Sequence, residues 1–229
     1  MKAGIIILCR FSSSRLPGKI LKELNGKPIL EHIYDRVALS KKCGSIIIAT
    51  SDDASDDPIA QFCLDHHYTC YRGSLQNVSE RFLHAAVEND LDYAVRINGD
   101  NLFCDAGLID KAVGYAIDEK LDVVSNVPER TYPIGMSVEV VCVSFYKHLI
   151  QQFEEEKYKE HVTLYFYEHD ITSNFRFLKN EELPEAGGLH LAIDTEDDFR
   201  FAAKLMERLT TNFHDNNWME IAKLALNEK

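Results

Sequence analysis

The chain has 229 residues, 45% of them hydrophobic and 27% charged, which is enough for one sizeable core and carries no low-complexity tract. Its formal net charge of −12 argues against a protein that tracks nucleic-acid phosphates, and no apolar run approaches the roughly 18 residues of a membrane span. Met1-Lys2-Ala3-Gly4 leads into an apolar run rather than a signal peptide, so the expectation is a cytoplasmic protein with neither nucleic acid nor membrane among its partners.

Ile5-Ile6-Ile7-Leu8 reads as a strand buried on both faces, and the polar stretch after it carries Arg10, three serines (Ser12, Ser13, Ser14), Arg15, Gly18 and Lys19. Gly26-Lys27-Pro28 ends this loop, with Pro28 as a first helical residue before Ile29, Leu30, Ile33 and Val37 at helical spacing. Ile46 to Ala49 is a second apolar strand, which makes the opening a βαβ unit. A short helix follows Asp57-Pro58, then a brief strand over Tyr68 to Tyr71, a turn at Arg72-Gly73-Ser74 and a helix marked by Val78, Phe82, Ala85 and Ala86.

Tyr93 to Ile97 is the third core strand and runs into Asn98-Gly99-Asp100-Asn101; Asp105 caps a helix over Leu108 to Ile117, and Asp122 to Asn126 is a fourth strand. Beyond it the pattern predicts a longer strand over Met136 to Val143, a helix over Tyr146 to Phe153 and a helical segment over Glu160 to Tyr167. Strands are predicted over Phe175 to Leu178 and His190 to Ile193, and a helix over Glu196 to Leu209. Alternating strands and helices predict an α/β fold: a three-layer, doubly wound, mostly parallel sheet in one domain over 1–229, with an arm at about 129–183.

Six cysteines without a C-x-x-C pair read as reduced thiols, and nine histidines without H-E-x-x-H give no transition-metal motif. The chemistry concentrates in three stretches. The opening loop brings Arg10, Arg15 and Lys19 together with serine amides and hydroxyls beyond a strand's carboxyl end, where anions are held; the alternative is a solvated loop. It matches neither the Walker A spacing, having Ser13 and Ile20 at the diagnostic places, nor G-x-G-x-x-G. Asp100 sits at a strand end suited to a Mg²⁺ ligand, and the alternative is a plain Asn-Gly-Asp turn. In Ile193 to Phe199, Thr195 and Asp198 suffice to cap a helix, which leaves Asp194 free for another role.

Taken together, R-x-x-S-x-R-L-P-G-K-x-L at Arg10 to Leu21, the R-G-S turn with Val78 and Arg81, and R-x-x-G-D at Arg96 to Asp100 form a recognisable series. T-Y-P-x-G leading to V-E-V at Thr131 to Val140, E-H-V-T at Glu160 to Thr163 and I-D-T-x-x-D-F at Ile193 to Phe199 continue it. The series resembles the cytidylyltransferases that activate acid sugars, above all the spore coat polysaccharide biosynthesis protein F group, over nearly the whole chain. The resemblance implies a nucleotide-diphospho-sugar-transferase-like fold and a homodimer. The implied reaction is Mg²⁺-dependent transfer of CMP from CTP to a sugar acid or phosphorylated acceptor, with pyrophosphate released, in the synthesis of surface polysaccharide or glycoconjugate precursors. By the same resemblance, Leu8, Arg10, Ser12, Ser13, Ser14, Arg15, Lys19, Arg72, Gly73, Ser74 and Arg81 hold the nucleotide. Arg15, Lys19, Asp100 and Asp194 carry catalysis, Asp100 and Asp194 bind the metal, and Glu139 and His161 line the acceptor pocket. Ser12 and Ser79 depart from the group's usual residues, as does Asn101 where a proline is normal. A related glycosyltransferase is the alternative, though the chain lacks a D-x-D after a core strand, and so is a non-catalytic nucleotide-binding protein on the same fold.

Overall fold

A computed structural model describes residues 1–13, 15–169, 171–209 and 213–228. Its strands are β1 (Ala3–Leu8), the short hairpin β2 (Glu23–Leu24) and β3 (Lys27–Pro28), β4 (Ser45–Ser51), β5 (Thr69–Gly73), β6 (Tyr93–Asn98), β7 (Val123–Ser125), β8 (Glu139–Cys142) and β9 (Phe175–Phe177). The helices are α1 (Ile29–Val37), α2 (Asp57–Asp65), α3 (Val78–Glu88), α4 (Ala106–Asp118), α5 (Val143–Leu149), α6 (Glu156–Glu160), α7 (Leu164–Glu168), α8 (Glu196–Arg208) and α9 (Trp218–Asn227).

Seven strands form one sheet in the order β5-β4-β1-β6-β8-β7-β9. It is mostly parallel; β8 alone runs antiparallel to its neighbours β6 and β7. Every residue of β1 is buried, as an apolar run at the centre of a doubly covered sheet should be. Alternate residues point to opposite faces, so Ile5 and Ile7 join the core under α1, α4, α8 and α9, while Ile6 and Leu8 join the one under α3, α5 and α7. The result is three layers.

Several local predictions are corrected. Pro28 is not helical: it is extended and closes the β2–β3 hairpin, and α1 starts at Ile29, whose amide bonds back to the Lys22 carbonyl at 3.1 Å. The strand expected over Met136 to Val143 shrinks to β8. Before it the Asn126 side chain takes the Met136 carbonyl at 2.9 Å and the Val138 amide at 2.8 Å, so an amide side chain replaces a neighbouring strand. The helix expected over Tyr146 to Phe153 begins earlier, at Val143, and ends in a single tighter turn. The helix expected over Glu160 to Tyr167 is broken into α6 and α7: the backbone leaves the helical region at His161 (φ −103°, ψ 87°), and the Tyr146 hydroxyl donates to the Val162 carbonyl at 2.9 Å. No strand spans His190 to Ile193; one bridge joins His190 to Ile134.

Parts of 129–183 are built into the sheet and its cover and do not stand off as an arm: β8 lies between β6 and β7, β9 pairs with β7, and α5 and α6 pack on α3. The last helix, α9, falls in a stretch for which no element was predicted. Its capping box, Asn217 with Glu220, was there to be read. Asp105 docks it, capping α4 at the Leu108 amide (2.7 Å) with one oxygen and accepting the Trp218 amide (2.8 Å) with the other. Among the described residues no helix is long and apolar enough to cross a membrane.

Candidate active site

The carboxyl ends of β1 and β6 open into a cleft of ≈ 410 Å³. Adjacent parallel strands place Leu8 beside Asn98, and the Gly99 amide bonds the Leu8 carbonyl at 2.9 Å. A Cβ on Gly99 would come within 2.8 Å of the Cys9 side chain, so the close pass of these two strand ends requires glycine.

Beyond β1 the loop is tied at its base. Asp56, buried at the start of α2, accepts the Phe11 amide at 2.6 Å with one oxygen and the Ser51 amide and hydroxyl with the other. Burial alone would raise the Asp56 pKa; the Ser51 and Phe11 donors outweigh it and hold the carboxyl below its usual range. Gly18, at φ 68°, turns the chain so that its amide meets the Phe11 carbonyl at 3.0 Å. Lys19 and Arg15 thereby converge on Asp194: Arg15 Nη2 lies 2.8 Å and Lys19 Nζ 3.2 Å from Asp194 Oδ1. Lys19 also donates to the Ile193 carbonyl at 2.6 Å, so its ammonium is held at a fixed place.

Asp194 is free for this because Thr195 and Asp198 form a capping box on α8, as the spacing predicts. Its position depends on Gly135, at φ 98°, where a Cβ would sit 2.4 Å from the Ala192 nitrogen. Ile193 in turn donates its amide to the Asp100 carbonyl at 3.0 Å, which joins the two acidic stretches.

Asp100 lines the cleft, and its Oδ1 is buried without a hydrogen-bond partner. Burial raises its pKa; Lys19 pulls it back and Asp194 pushes it further up. Among the described residues no three or more His, Cys, Asp or Glu side chains gather as a metal site, so the acidic pair stands alone.

Of the residues expected at the site, the cleft wall includes Leu8, Arg10, Ser12, Ser13, Arg15, Lys19, Arg81, Asp100, His161 and Asp194. Ser14 lies outside the described residues. Arg72, Gly73 and Ser74 do not line the cleft. Side chains alternate along β5, and Arg72 points toward α2, where it bonds the Ser51 and Asp53 carbonyls and pairs with Asp57 at 2.8 Å. The turn acts at one remove, since the Ser74 carbonyl accepts Arg81 Nη1 at 2.8 Å. Glu139 is 1% exposed and does not line the cleft either; it faces Arg96 directly across the antiparallel β6–β8 ladder and pairs with it.

Arg96, Asn98 and Glu160 are cleft residues to which the sequence reading gave no role. Arg96 had a signal: it is the one charge inside the apolar run of β6. Glu160 pairs with Arg10 at 3.3 Å across the cleft. The wall carrying Glu160 and His161 is pinned through Ser79, whose hydroxyl donates to the Tyr158 carbonyl at 2.6 Å.

A family model described as cytidylyltransferase matches residues 4–225. An uncharacterized protein of Methanocaldococcus jannaschii is 34% identical over 207 residues, covering 90% of this chain and 84% of that protein. The spore coat polysaccharide biosynthesis protein SpsF of Bacillus subtilis is 31% identical over 208 residues, covering 89% and 85%. Among solved structures, a cytidylyltransferase from Leptospira borgpetersenii superposes with a TM-score of 0.92 at 24% identity over 100% of this chain and 95% of that one. CMP:2-keto-3-deoxy-manno-octonic acid synthetase, solved with CTP, superposes with a TM-score of 0.71 at 17% identity over 91% and 99%. At these identities the structural likeness speaks for the fold.

Proposed function

The chain belongs to the cytidylyltransferase family, and from that premise we propose that it transfers CMP from CTP to a sugar acid or related acceptor, with Mg²⁺, releasing pyrophosphate. The observation that carries this reading is Asp100: a buried carboxylate with an unpartnered oxygen, beside Asp194 and two fixed cations. An orphaned buried oxygen costs free energy unless a ligand claims it. Asp100 and Asp194 suit a hard cation that takes one or two carboxylates and leaves its other positions to phosphates and water. Mg²⁺ bound there would supply Lewis-acid neutralisation of phosphate charge and a lowered pKa for the acceptor hydroxyl.

The chain's own groups do the rest. Lys19 and Arg15, held on Asp194, face the place where triphosphate charge would lie, and Ser12 and Ser13 add hydroxyls beside them. Arg81 and Leu8 stand on the wall toward α3, where a base would rest. Catalysis of this kind is positioning plus charge neutralisation, and neither asks for a general base. The relatives support the sugar-acid assignment. The Bacillus subtilis protein is named for spore coat polysaccharide biosynthesis, and a 3-deoxy-manno-octulosonate cytidylyltransferase of Geobacter metallireducens is 31% identical over 113 residues.

The test is pyrophosphate release with each nucleoside triphosphate, Mg²⁺ and a panel of sugar acids and sugar phosphates. Release with CTP and a sugar acid, dependent on Mg²⁺, is the expected result. A protein that CTP does not stabilise against heat, and that releases no pyrophosphate with any pair, would overturn the reading.

A further inference from the structure

Arg96 raises a question that the nucleotide reading leaves unanswered. It is an ionised side chain in the middle of the sheet, on the same face of β6 as Asn98, and it reaches the cleft wall. Its Nη1 is fixed by Glu139 on β8, and Thr163 Oγ1 lies 3.4 Å from the same nitrogen. Glu139 is in turn held by the Tyr167 hydroxyl, which lies 2.8 Å from the Ser125 hydroxyl. The Arg96 Nε is buried and has no partner. A guanidinium fastened along one edge and unsatisfied on another is preorganised to receive a planar oxyanion.

The place fits a particular part of the acceptor. In a 2-keto sugar acid the anomeric hydroxyl and the carboxylate share one carbon. If that hydroxyl attacks the α-phosphorus beside Asp100 and Asp194, the carboxylate must lie within a few ångströms of it. Arg96 and Asp100 line the same cleft, at and just beyond the carboxyl end of β6. His161 also lines the cleft, and Arg10 is already engaged with Glu160.

Building on the sugar-acid reading above, we infer that Arg96 binds the acceptor's carboxylate, and that Glu139 and Tyr167 are positioning residues that hold its guanidinium in the cleft. Glu139 thus bears on the acceptor through Arg96 and not by contact.

Calorimetry on the protein saturated with a CTP analogue whose α,β-bridging oxygen is replaced by methylene tests this without turnover. The probes are 3-deoxy-manno-octulosonate and N-acetylneuraminate, each against its uncharged methyl ester. At least one acid should bind wild type about tenfold or more tightly than its ester, the scale of a charge-assisted pair. Arg96→Gln should erase that preference while the analogue's affinity stays within about twofold, and Tyr167→Phe should reduce the preference by a smaller factor. The inference is overturned if Arg96→Gln keeps the acid-over-ester preference or weakens acid, ester and nucleotide alike. It is also overturned if neither acid binds wild type; CTP-dependent pyrophosphate release with a sugar phosphate would then leave the cytidylyl-transfer reading standing. Should Arg96→Gln fail to fold, an undiminished preference in Tyr167→Phe overturns it.

Discussion

Asp100 is where the proposed site would cost the fold most. Its carboxyl is buried and its pKa raised, chiefly by burial, so the folded state holds the proton more tightly than the unfolded chain does. Stability from this group is therefore complete at acid pH and is lost as pH rises from the unfolded carboxylate range through the elevated folded value. Asp100→Asn should lower pyrophosphate release by at least about 100-fold, the scale of losing a preorganised electrostatic contact. In EDTA, the same variant should unfold at higher urea than wild type at neutral pH, with the gap closing at acid pH. Equal midpoints across that range would mean that the buried carboxylate is not strained in the ligand-free protein. Lys19 and Arg15 differ from it in having partners, each on Asp194, so their charges are held ready without an orphaned atom.

At the scale of elements, the site is set by how strand ends pass one another. The segment 190–193 never becomes a strand, yet it must run within contact of Ile134 and Gly135 to deliver Asp194 to the mouth of the cleft. Gly135→Ala would force a Cβ into the Ala192 backbone at a φ of 98°, where non-glycine residues are strained. The expected cost is about 2 kcal/mol or more of stability. A CTP-dependent pyrophosphate release that falls further than the folded fraction, measured by circular dichroism, would trace part of the effect to Asp194. An unchanged denaturation midpoint would contradict the close approach. The wall that carries His161 is tied down on both sides of it: the Ser79 hydroxyl donates to the Tyr158 carbonyl and the Tyr146 hydroxyl to the Val162 carbonyl, while the non-helical backbone at His161 separates α6 from α7.

Across the whole molecule, charge is distributed against its total. The chain carries a net −12, yet among the described residues five cations (Arg10, Arg15, Lys19, Arg81 and Arg96) and three carboxylates (Asp100, Glu160 and Asp194) line the cleft. An anion therefore approaches a locally positive cleft in an acidic protein, and added salt screens both the repulsion outside and the attraction within. If triphosphate rests on Arg15 and Lys19, the short-range attraction dominates, and the dissociation constant for CTP should rise between 50 mM and 500 mM salt. A salt-independent affinity, measured by calorimetry, would place the phosphates elsewhere.

Much of this was legible in the sequence, for physical reasons that differ from part to part. Consecutive apolar residues such as Ile5 to Leu8 need cover on both faces, and periodic ones such as Ile29, Leu30, Ile33 and Val37 need one. The alternation of the two kinds of pattern is enough to determine a layered α/β sheet. The Thr195–Asp198 box was equally legible, because capping is local, and it left Asp194 for other work. Tertiary structure alone decided what depends on neighbours distant in the chain. That Arg72 turns toward Asp57 and away from the cleft follows from the strand's facing, which a one-residue change of register would reverse. That Glu139 is buried against Arg96 follows from the antiparallel insertion of β8, a pairing of residues 43 apart that no local pattern encodes. The sequence by itself thus determined the kinds of element and the chemistry at their ends; only the packed sheet decided which of those charges line the cleft and which are spent on each other.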